Sequence, residues 1–323
     1  MEGRYRDGPS EQRGAMFMRQ KIALLLRVLV FIGIGLHAHP CLALKFFMLS
    51  PGTSFYGKSR WVKVNEGDTL LDIARDFDLG YNQIIGANPG IDPWVPAGES
   101  LVFVPSALVL PRVRPTAGIV VNLAEMRLYH FFSDGGHDYV LTAPIGIGTE
   151  GFLTEPGTYK VKSKTVNPTW VVPASIRKAE PDLPAEVPPG PDNPLGDHAL
   201  RLSRKEYAIH GTNKPWGIGR RVSHGCIRLY PEDIAMLYPL VPVGTTVQVI
   251  YEPIKVGWAA GQCWIQIFDD FDGRIENPLS NVMAALSVQE SAAGPLDLDF
   301  TALFKALKER TGVPAPIAHP KRP

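Results

Sequence analysis

The stretch Ile209-His210-Gly211-Thr212, followed after a run of Gly, Trp and Arg by Val222-Ser223-His224-Gly225-Cys226-Ile227-Arg228-Leu229, decides the fold of the largest domain. It places two imidazoles and a candidate nucleophilic thiol within one short, loop-rich segment. A histidine beside a cysteine favours a thiolate near neutral pH, because the imidazole takes the proton and its charge stabilises the sulfur anion. The stretch therefore predicts a cysteine nucleophile that the rest of the chain supports.

The composition bounds the class of protein. The chain of 323 residues suffices for two or three domains, and its 30 Pro and 31 Gly favour short strands joined by turns. A net charge of +1 argues against nucleic acid as a partner, since no dense Lys/Arg surface is available to neutralise phosphates. Of the three cysteines, Cys41 lies in a segment expected to be removed, and the two that remain do not make a disulfide scaffold. No cofactor and no metal is predicted.

Residues 1–43 are predicted to be a leader and a cleavable signal peptide. Basic residues precede an apolar run from Ile22 to Leu36, and Cys41-Leu42-Ala43 has small residues at the two positions that a signal peptidase reads. The alternative is a membrane anchor, but the run is shorter than the ~20 residues of a spanning helix and contains Arg27. We therefore expect an exported protein whose residues 44–60 form a connecting segment.

Residues 61–105 predict a small strand–helix–helix–strand (βααβ) domain, with Asp68 or Thr69 capping the first helix. Three parts of this segment resemble a LysM module: Glu66-Gly67-Asp68-Thr69-Leu70, Ala87-Asn88-Pro89 and Gly98-Glu99-Ser100-Leu101. The resemblance implies binding to N-acetylglucosamine-containing glycans, here peptidoglycan. The alternative is a packing domain that has lost its affinity for glycans.

After a proline-containing linker over 106–116, residues 117–252 predict the main domain. Many short strands with Gly/Pro punctuation indicate an all-β sandwich or barrel. The proline-rich segment 167–198 is a candidate lid or wall, since long irregular segments within compact domains are usually functional. A helix from Pro231 to Tyr238, stopped by Pro239, would favour the Cys226 thiolate if its N-terminus points toward the sulfur.

Three simpler interpretations of the cysteine stay open at this point. Cys226 could be an inert buried thiol. It could bind zinc together with His210 and His224, although a fourth ligand at a typical spacing is absent from the sequence. It could also form a disulfide with Cys263, which would abolish its nucleophilicity.

The domain over 117–252 resembles the YkuD-type L,D-transpeptidases. The motifs are His210-Gly211-Thr212, Gly217-Ile218-Gly219 and Ser223-His224-Gly225-Cys226-Ile227-Arg228, with Arg228 standing where other branches have Asn. The resemblance implies a mainly β catalytic domain, a YkuD-like β-sandwich. With a LysM module before it and an extension after it, the chain also resembles periplasmic enzymes that attach the Braun lipoprotein of the outer membrane to peptidoglycan.

The resemblance also implies the roles of individual residues. Cys226 is the nucleophile, His210 is the proton donor and acceptor, and the backbone carbonyl of Gly211 orients His210. His224 and Gly225 belong to the oxyanion loop around the sulfur. The residues expected to bind substrate are Ser223, Arg228, Thr212 and Trp216.

The implied reaction is release of D-Ala from a tetrapeptide stem through a thioester on Cys226, followed by transfer to an amine. The favoured acceptor is the C-terminal lysine of an outer-membrane lipoprotein, with 3-3 diaminopimelate cross-linking and L,D-carboxypeptidase activity as alternatives. A non-catalytic wall-binding adaptor is a further alternative. We also expect a periplasmic location, sensitivity to carbapenems and a periplasmic thiol reductase as a partner of the exported thiol.

Residues 253–312 predict an α+β C-terminal extension. Trp264-Ile265-Gln266-Ile267-Phe268 alternates as in a strand, and an amphipathic helix follows around Leu303. Cys263 is expected to be a small core residue. The Pro- and Ala-rich residues 313–323 predict a disordered tail.

Overall fold

The computed structural model describes residues 45–321, apart from the side chains at positions 175, 179 and 289–293. The leader and signal peptide expected over residues 1–43 lie outside this range. Between residues 45 and 321, none of the helices has the length and apolar character needed to cross a bilayer.

The first part of the described chain contains the βααβ domain. The elements of this part are β1 (Lys45–Met48), β2 (Phe55–Tyr56), β3 (Arg60–Lys63), α1 (Leu70–Asp76), α2 (Tyr81–Ala87), β4 (Leu101–Val104) and β5 (Leu108–Val109). The βααβ domain itself consists of β3, α1, α2 and β4, with β3 paired to β4. Thr69 caps α1: its hydroxyl accepts a hydrogen bond from the Asp72 N–H at 3.1 Å, and the Asp72 carboxylate accepts one from the Thr69 N–H at 2.9 Å. This reciprocal capping box fixes the start of the helix.

Two stretches expected to be connections are parts of the folded structure. β1 pairs antiparallel with the edge of the main sheet, Lys45 lying opposite Thr142, and the buried β5 pairs with β2. The predictions of a connecting segment over 44–60 and of a linker over 106–116 are therefore wrong. Both stretches are too short to show periodicity, and their hydrogen-bond partners lie far away in the sequence.

The domain predicted over 117–252 follows the expected pattern of short strands. Its elements are β6 (Gly118–Asn122), β7 (Arg127–Asp134), β8 (His137–Pro144), β9 (Ile147–Gly148), β10 (Gly157–Val166), β11 (Trp170–Val171), α3 (Ala174–Ala179), β12 (Glu186–Val187), β13 (His198–Leu202), β14 (Ala208–His210), a 3-10 turn (Pro215–Gly217), β15 (Arg221–Ser223), β16 (Ile227–Arg228), α4 (Pro231–Leu240) and β17 (Thr246–Ile250).

Among the described residues, the largest sheet has nine strands in the order β1-β8-β7-β6-β17-β10-β13-β14-β16. All residues of β6 and the first five of β7 are buried. Since successive residues of a strand point to opposite faces, both faces of the sheet are covered there. Val121 and Leu128 belong to one apolar cluster, whereas Val120 and Tyr129 belong to another on the opposite face. The mainly β architecture predicted for this domain is confirmed.

α4 is longer than predicted. The sequence suggested that Pro239 stops the helix at Tyr238, but the helix continues to Leu240 and contains Pro239 in its last turn. In an α-helix, the N–H that Pro239 lacks would have bonded to the carbonyl of Ala235, a residue on the exposed side of the helix. The cost of the proline is therefore low at this position.

The C-terminal extension is α+β, as predicted. Its elements are β18 (Ile254–Ala259), β19 (Gln262–Ile267), α5 (Pro278–Ala293), β20 (Leu296–Leu298), α6 (Phe300–Glu309) and β21 (Ala315–Pro320). Within the described residues these strands form a four-stranded sheet in the order β18-β19-β21-β20. Cys263 is completely buried in its core.

The prediction of a disordered tail over 313–323 is wrong for most of that segment. β21 lies between β19 and β20, and it buries Ile317 completely. The register shifts between Cys263 and Trp264, next to Pro316, which has no N–H to donate. This irregularity lets a proline-containing segment form an inner strand.

Candidate active site

The sheet register brings the predicted catalytic residues together. β14 and β16 pair in parallel, with Ile209 opposite Ile227 and His210 opposite Arg228. The two isoleucines belong to the apolar core, so His210 and Arg228 point to the other face of the sheet. Cys226 immediately precedes β16, and the charge of Arg228 acts on both Cys226 and His210.

His210 is buried and held by its own neighbour. Its Nδ1 lies 2.6 Å from the carbonyl oxygen of Gly211. Because a carbonyl can only accept, Nδ1 carries the proton of the neutral ring, which leaves the Nε2 lone pair available. Burial, reinforced by the charge of Arg228, lowers the pKa of His210 to about 3. The histidine is therefore neutral across the physiological pH range and equipped to accept a proton at Nε2.

Two hydroxyl groups hold the loop that carries the sulfur. The Ser223 hydroxyl donates to the carbonyl of Cys226 at 2.6 Å, and the Thr154 hydroxyl donates to the carbonyl of Gly225 at 3.0 Å. The Thr154 oxygen in turn accepts a hydrogen bond from the N–H of Gly148 at 3.0 Å. In a trans peptide the N–H is opposite to the carbonyl, so the Cys226 N–H is directed away from Thr154.

The remaining predicted residues separate into a buried and an exposed set. Thr212 is buried and its hydroxyl accepts a hydrogen bond from the Lys214 N–H at 3.0 Å, so it stabilises the loop. His224 is exposed and contacts Phe152 edge-on, with ring centroids 4.4 Å apart. Trp216 is 54% exposed on the 3-10 turn. His224 and Trp216 are thus available to a substrate, whereas Ser223 and Thr212 hold the backbone.

The proline-rich segment 167–198 packs beside His210, where a wall was expected. Gly196 lies against Gly211 and Thr212, and a Cβ added to Gly196 would be 2.9 Å from the Thr212 nitrogen. The side-chain amide of Asn193 binds the carbonyl of Pro168 at 2.8 Å and so ties the two ends of the segment together. The segment is therefore packed against the loop that follows His210.

The comparisons with known proteins agree with this geometry. Residues 116–249 match the family YkuD, the L,D-transpeptidase catalytic domain, and residues 62–94 match the LysM domain. The chain is 39% identical over 291 residues to "Probable L,D-transpeptidase YbiS" of Escherichia coli (strain K12), covering 84% of this chain and 91% of the relative. The chain belongs to the L,D-transpeptidase family.

Two further relatives cover almost the whole L,D-transpeptidase chain. "Probable L,D-transpeptidase YcfS" of Escherichia coli (strain K12) is 35% identical over 313 residues, which is 94% of this chain and 97% of the relative. "Probable L,D-transpeptidase ErfK/SrfK" of Salmonella typhimurium (strain LT2) is 36% identical over 299 residues, covering 87% and 93%. The similarity therefore includes the LysM domain and the C-terminal extension.

Cys226, the predicted nucleophile of this L,D-transpeptidase, rests as a thiol. Burial raises the pKa of Cys226, and the Ala208 N–H and the charges of Arg201 and Arg228 offset this only in part. The prediction of a thiolate at rest is therefore wrong, because the buried site disfavours the charged forms of both Cys226 and His210. The thiol itself donates weakly to the carbonyl of Glu206, with the two atoms 3.3 Å apart.

The disulfide and zinc interpretations of Cys226 receive no support from the geometry of the transpeptidase. Cys226 and Cys263 are both free thiols, and burial raises the pKa of Cys263 to about 12. Within residues 45–321, no three His, Cys, Asp or Glu side chains are grouped as metal ligands would be.

Three residues contact or influence the site although the sequence motifs did not predict a role for them. Thr154 holds Gly225, Tyr207 donates to the Leu153 carbonyl at 2.8 Å, and Arg201 acts electrostatically on Cys226. All three contacts are between residues distant in sequence, so no local motif marks them. Arg201 lies on β13, a strand that the sequence pattern did not predict.

The LysM domain contacts the transpeptidase on both sides of the nucleophile motif. Before the motif, the Tyr81 N–H donates to the Ile218 carbonyl at 3.0 Å, and the Arg220 guanidinium lies 3.6 Å from the Tyr81 ring centroid. After the motif, Arg75 forms two hydrogen bonds of 2.7 Å with the carboxylate of Glu232. The two domains are therefore packed together at the segment that presents Cys226.

Proposed function

We propose that this enzyme transfers peptidoglycan tetrapeptide stems through a thioester on Cys226. The 2.6 Å hydrogen bond between His210 Nδ1 and the Gly211 carbonyl carries the proposal, because it leaves Nε2 free as a base on the face of the sheet that holds Cys226. A backbone carbonyl thus takes the orienting role that a carboxylate has in a Ser-His-Asp triad.

In the first half-reaction, His210 Nε2 takes the thiol proton while the sulfur attacks the carbonyl between the L-centre of diaminopimelate and D-Ala. The C–S bond forms, and the C–N bond breaks as Nε2 returns the proton to the amine of D-Ala. The neutral thiol–imidazole pair supports this order, because the proton moves only when the substrate is in place. The charges of Arg201 and Arg228 favour the transient thiolate.

The oxyanion of the tetrahedral intermediate binds to backbone N–H groups of the loop from His224 to Cys226. The orientation of the Cys226 N–H, set by the hydrogen bond between Thr154 and the Gly225 carbonyl, supports this role. One such donor contributes about 3 kcal/mol in serine proteases. His224, Trp216 and Arg228 contact the stem at the opening of the cleft.

In the second half-reaction, an amine attacks the thioester and gives a proton to His210; the C–N bond forms, the C–S bond breaks, and the departing sulfur takes that proton from His210, which restores the neutral pair. The proposed acceptor is the C-terminal lysine of an outer-membrane lipoprotein, which follows from the resemblance of the whole chain to the lipoprotein-attaching enzymes. The enzyme works in the periplasm after export, where LysM binds peptidoglycan. A thiol reductase restores Cys226 whenever it is oxidised, and carbapenems inhibit the enzyme by acylating it.

A product analysis tests the acceptor. Purified enzyme is incubated with labelled diaminopimelyl muropeptides and a lysine-terminated lipoprotein peptide, and the products are identified by mass. We expect release of D-Ala and a peptide–stem conjugate, both abolished by Cys226→Ala. Only 3-3 dimers, or only tripeptide stems, would reject the lipoprotein acceptor in favour of diaminopimelate or water.

Acylation by a carbapenem tests the base. The enzyme should gain the mass of one carbapenem on Cys226, and His210→Ala should slow this reaction by at least about 100-fold, the usual range for loss of a general base. Normal adduct formation by His210→Ala would assign the base to His224 instead.

A further inference from the structure

Two arginine side chains flank the nucleophile on the same face of the sheet. Arg201 lies opposite Ala208 in the pairing of β13 with β14, and Ala199 lies opposite His210. Since Ile209 pairs with Ile227, Ala208 is next to Cys226 in the parallel pairing of β14 with β16. The register thus forms two rows across three strands: Arg201, Ala208 and Cys226 in one, and Ala199, His210 and Arg228 in the other.

The middle of this face has little side-chain volume. With strands about 4.8 Å apart, the Cα atoms of Arg201 and Cys226 are separated by about 10 Å, and only the methyl group of Ala208 stands between them. Ala199 and Ala208 are both completely buried, whereas Cys226 and Arg201 are partly exposed, so a ligand would lie beside the sulfur and not over the alanines. A long guanidinium side chain at position 201 can reach across the small Ala208 to a group in that place.

Neither arginine has a carboxylate partner in the part of the chain that the structure describes. The ion pairs within residues 45–321 include other half-buried arginines, such as Arg221 with Asp272 at 3.5 Å, but none involves Arg201 or Arg228. The Nε of Arg228 is buried and has no hydrogen-bond partner in this part of the chain. Half-buried guanidinium groups without a counter-ion are suited to an anionic ligand, because a carboxylate satisfies their donors in a planar, two-pronged geometry.

We propose that Arg201 binds a carboxylate of the donor stem and so determines which stems reach Cys226. The proposal rests on the proposed function, since it takes the tetrapeptide stem as the donor. The stem carries three free carboxylates, on the terminal D-Ala, on the distal centre of diaminopimelate and on the glutamate. Arg228, in the row of His210, is available to a second carboxylate of the same ligand.

The test compares stems that differ in one carboxylate. The probes are the free tetrapeptide and three forms, each amidated at one carboxylate. Binding is measured by calorimetry in a Cys226→Ala background, and kcat and KM for D-Ala release are measured with Cys226 present. The arginine is replaced by Met and by Lys, and Arg114→Met, an exposed arginine outside the cleft, is the control.

With Arg201 present, amidation of the recognised carboxylate should weaken binding at least about tenfold, as expected for loss of a charged hydrogen-bond partner. Arg201→Met should bind the free stem at least about tenfold more weakly and should bind that amidated stem as well as the parent does. Arg201→Lys should bind the free stem with an affinity between those of the parent and of Arg201→Met. In D-Ala release, the difference from the parent should appear mainly in KM. The amidated stem that binds equally well to the parent and to Arg201→Met identifies the carboxylate that Arg201 recognises.

The proposal is overturned if Arg201→Met leaves the binding of the free stem unchanged or weakens all four stems by one common factor. It is also overturned if no stem binds in the Cys226→Ala background. Selective binding without D-Ala release would reject the proposed function and leave the role of Arg201 standing. D-Ala release with unchanged selectivity in Arg201→Met would reject only the role of Arg201.

Discussion

The Tyr207 ring lies directly against Gly225, at a place where no side chain can stand. Gly225 has a φ of +98°, and a Cβ added to it would be 2.8 Å from Cε1 of Tyr207. The hydroxyl of the same tyrosine accepts a hydrogen bond from the Glu155 N–H at 2.9 Å, which keeps the ring in place. The loop before Cys226 is therefore shaped by a tyrosine that precedes His210 in the sequence.

Replacing Gly225 by Ala should slow acylation of Cys226 by about 100-fold, because the loop must shift and a misplacement of about 1 Å has an effect of this size. The free energy of unfolding should fall by about 1–3 kcal/mol through the left-handed backbone and the contact with Tyr207. Carbapenem adduct formation followed by mass and urea unfolding measure the two effects.

The matched control is Gly244→Ala. Gly244 has nearly the same φ, +95°, but a Cβ there would meet nothing within 4 Å. This variant should lose stability through the backbone alone and keep its acylation rate. If the two variants acylate equally fast, the contact with Tyr207 has no role in shaping the loop.

The resting protonation states predict a distinctive pH dependence. Because burial raises the pKa of Cys226 above its ordinary value, its alkylation by iodoacetamide should keep rising with pH beyond pH 9. A thiolate–imidazolium pair would instead give a plateau near neutral pH. The rate is followed through the mass of the peptide that contains Cys226, and a plateau between pH 5 and 7 would contradict the neutral resting pair.

Catalysis should show no acid limb at the ordinary histidine pKa. The pKa of His210 is lowered to about 3, so its neutral, proton-accepting form persists as the pH falls through 6.5. The kcat/KM for D-Ala release should therefore be constant between about pH 5 and 8, as expected when the essential base titrates outside this window. A fall of tenfold between pH 7 and 5.5, retained in His224→Ala, would show that the base titrates normally.

The ion pair between Arg75 and Glu232 should couple the two domains. Replacing Arg75 by Met and Glu232 by Gln, singly and together, should give a coupling energy of about 0.5–1 kcal/mol, since the pair is bidentate but partly exposed to solvent. Urea unfolding of the four proteins measures it. The exposed pair of Lys63 and Glu99, analysed in the same way, is the control and should give a smaller value. Equal coupling in both pairs would remove any special role of Arg75.

Deleting residues 314–323 should destabilise the C-terminal sheet. The deletion removes the inner strand β21 with the buried Ile317, and it leaves β19 and β20 without their shared partner. We expect a loss of about 2–4 kcal/mol, the cost of removing a buried aliphatic side chain and its packing. Deleting only 321–323 is the control, and equal Tm values for the two deletions would contradict the inner position of β21.

The sequence predicts best what is encoded locally. Thr69 was one of two candidate caps, and the alternation and turns of the strands led to the mainly β domain. The Ser223-to-Arg228 motif and His210 were found because the reactive residue types are clustered in the chain. The same locality explains the failures, since β1 and β21 are strands only because partners far away in the sequence pair with them.

The protonation state of the site could not be predicted from the sequence. A cysteine with two nearby histidines suggests an ion pair, but the outcome depends on how much water each group loses on folding, and burial is a property of the whole domain. The position of Arg201 near the site could not be predicted for a related reason. Its relationship to Cys226 exists only through the register of three strands, which no spacing in the chain reveals.

The contacts of the LysM domain on both sides of the nucleophile motif limit how the two domains can be exchanged during evolution. Gly80 and Gly219 pack so closely that a Cβ on Gly80 would be 2.8 Å from the Cα of Gly219. A LysM module recombined from another protein would have to carry a glycine at this point, and an arginine opposite Glu232 would add about 0.5–1 kcal/mol to the contact. The two domains can therefore diverge only as a pair, and shuffling one without the other would disturb the loop that carries the sulfur.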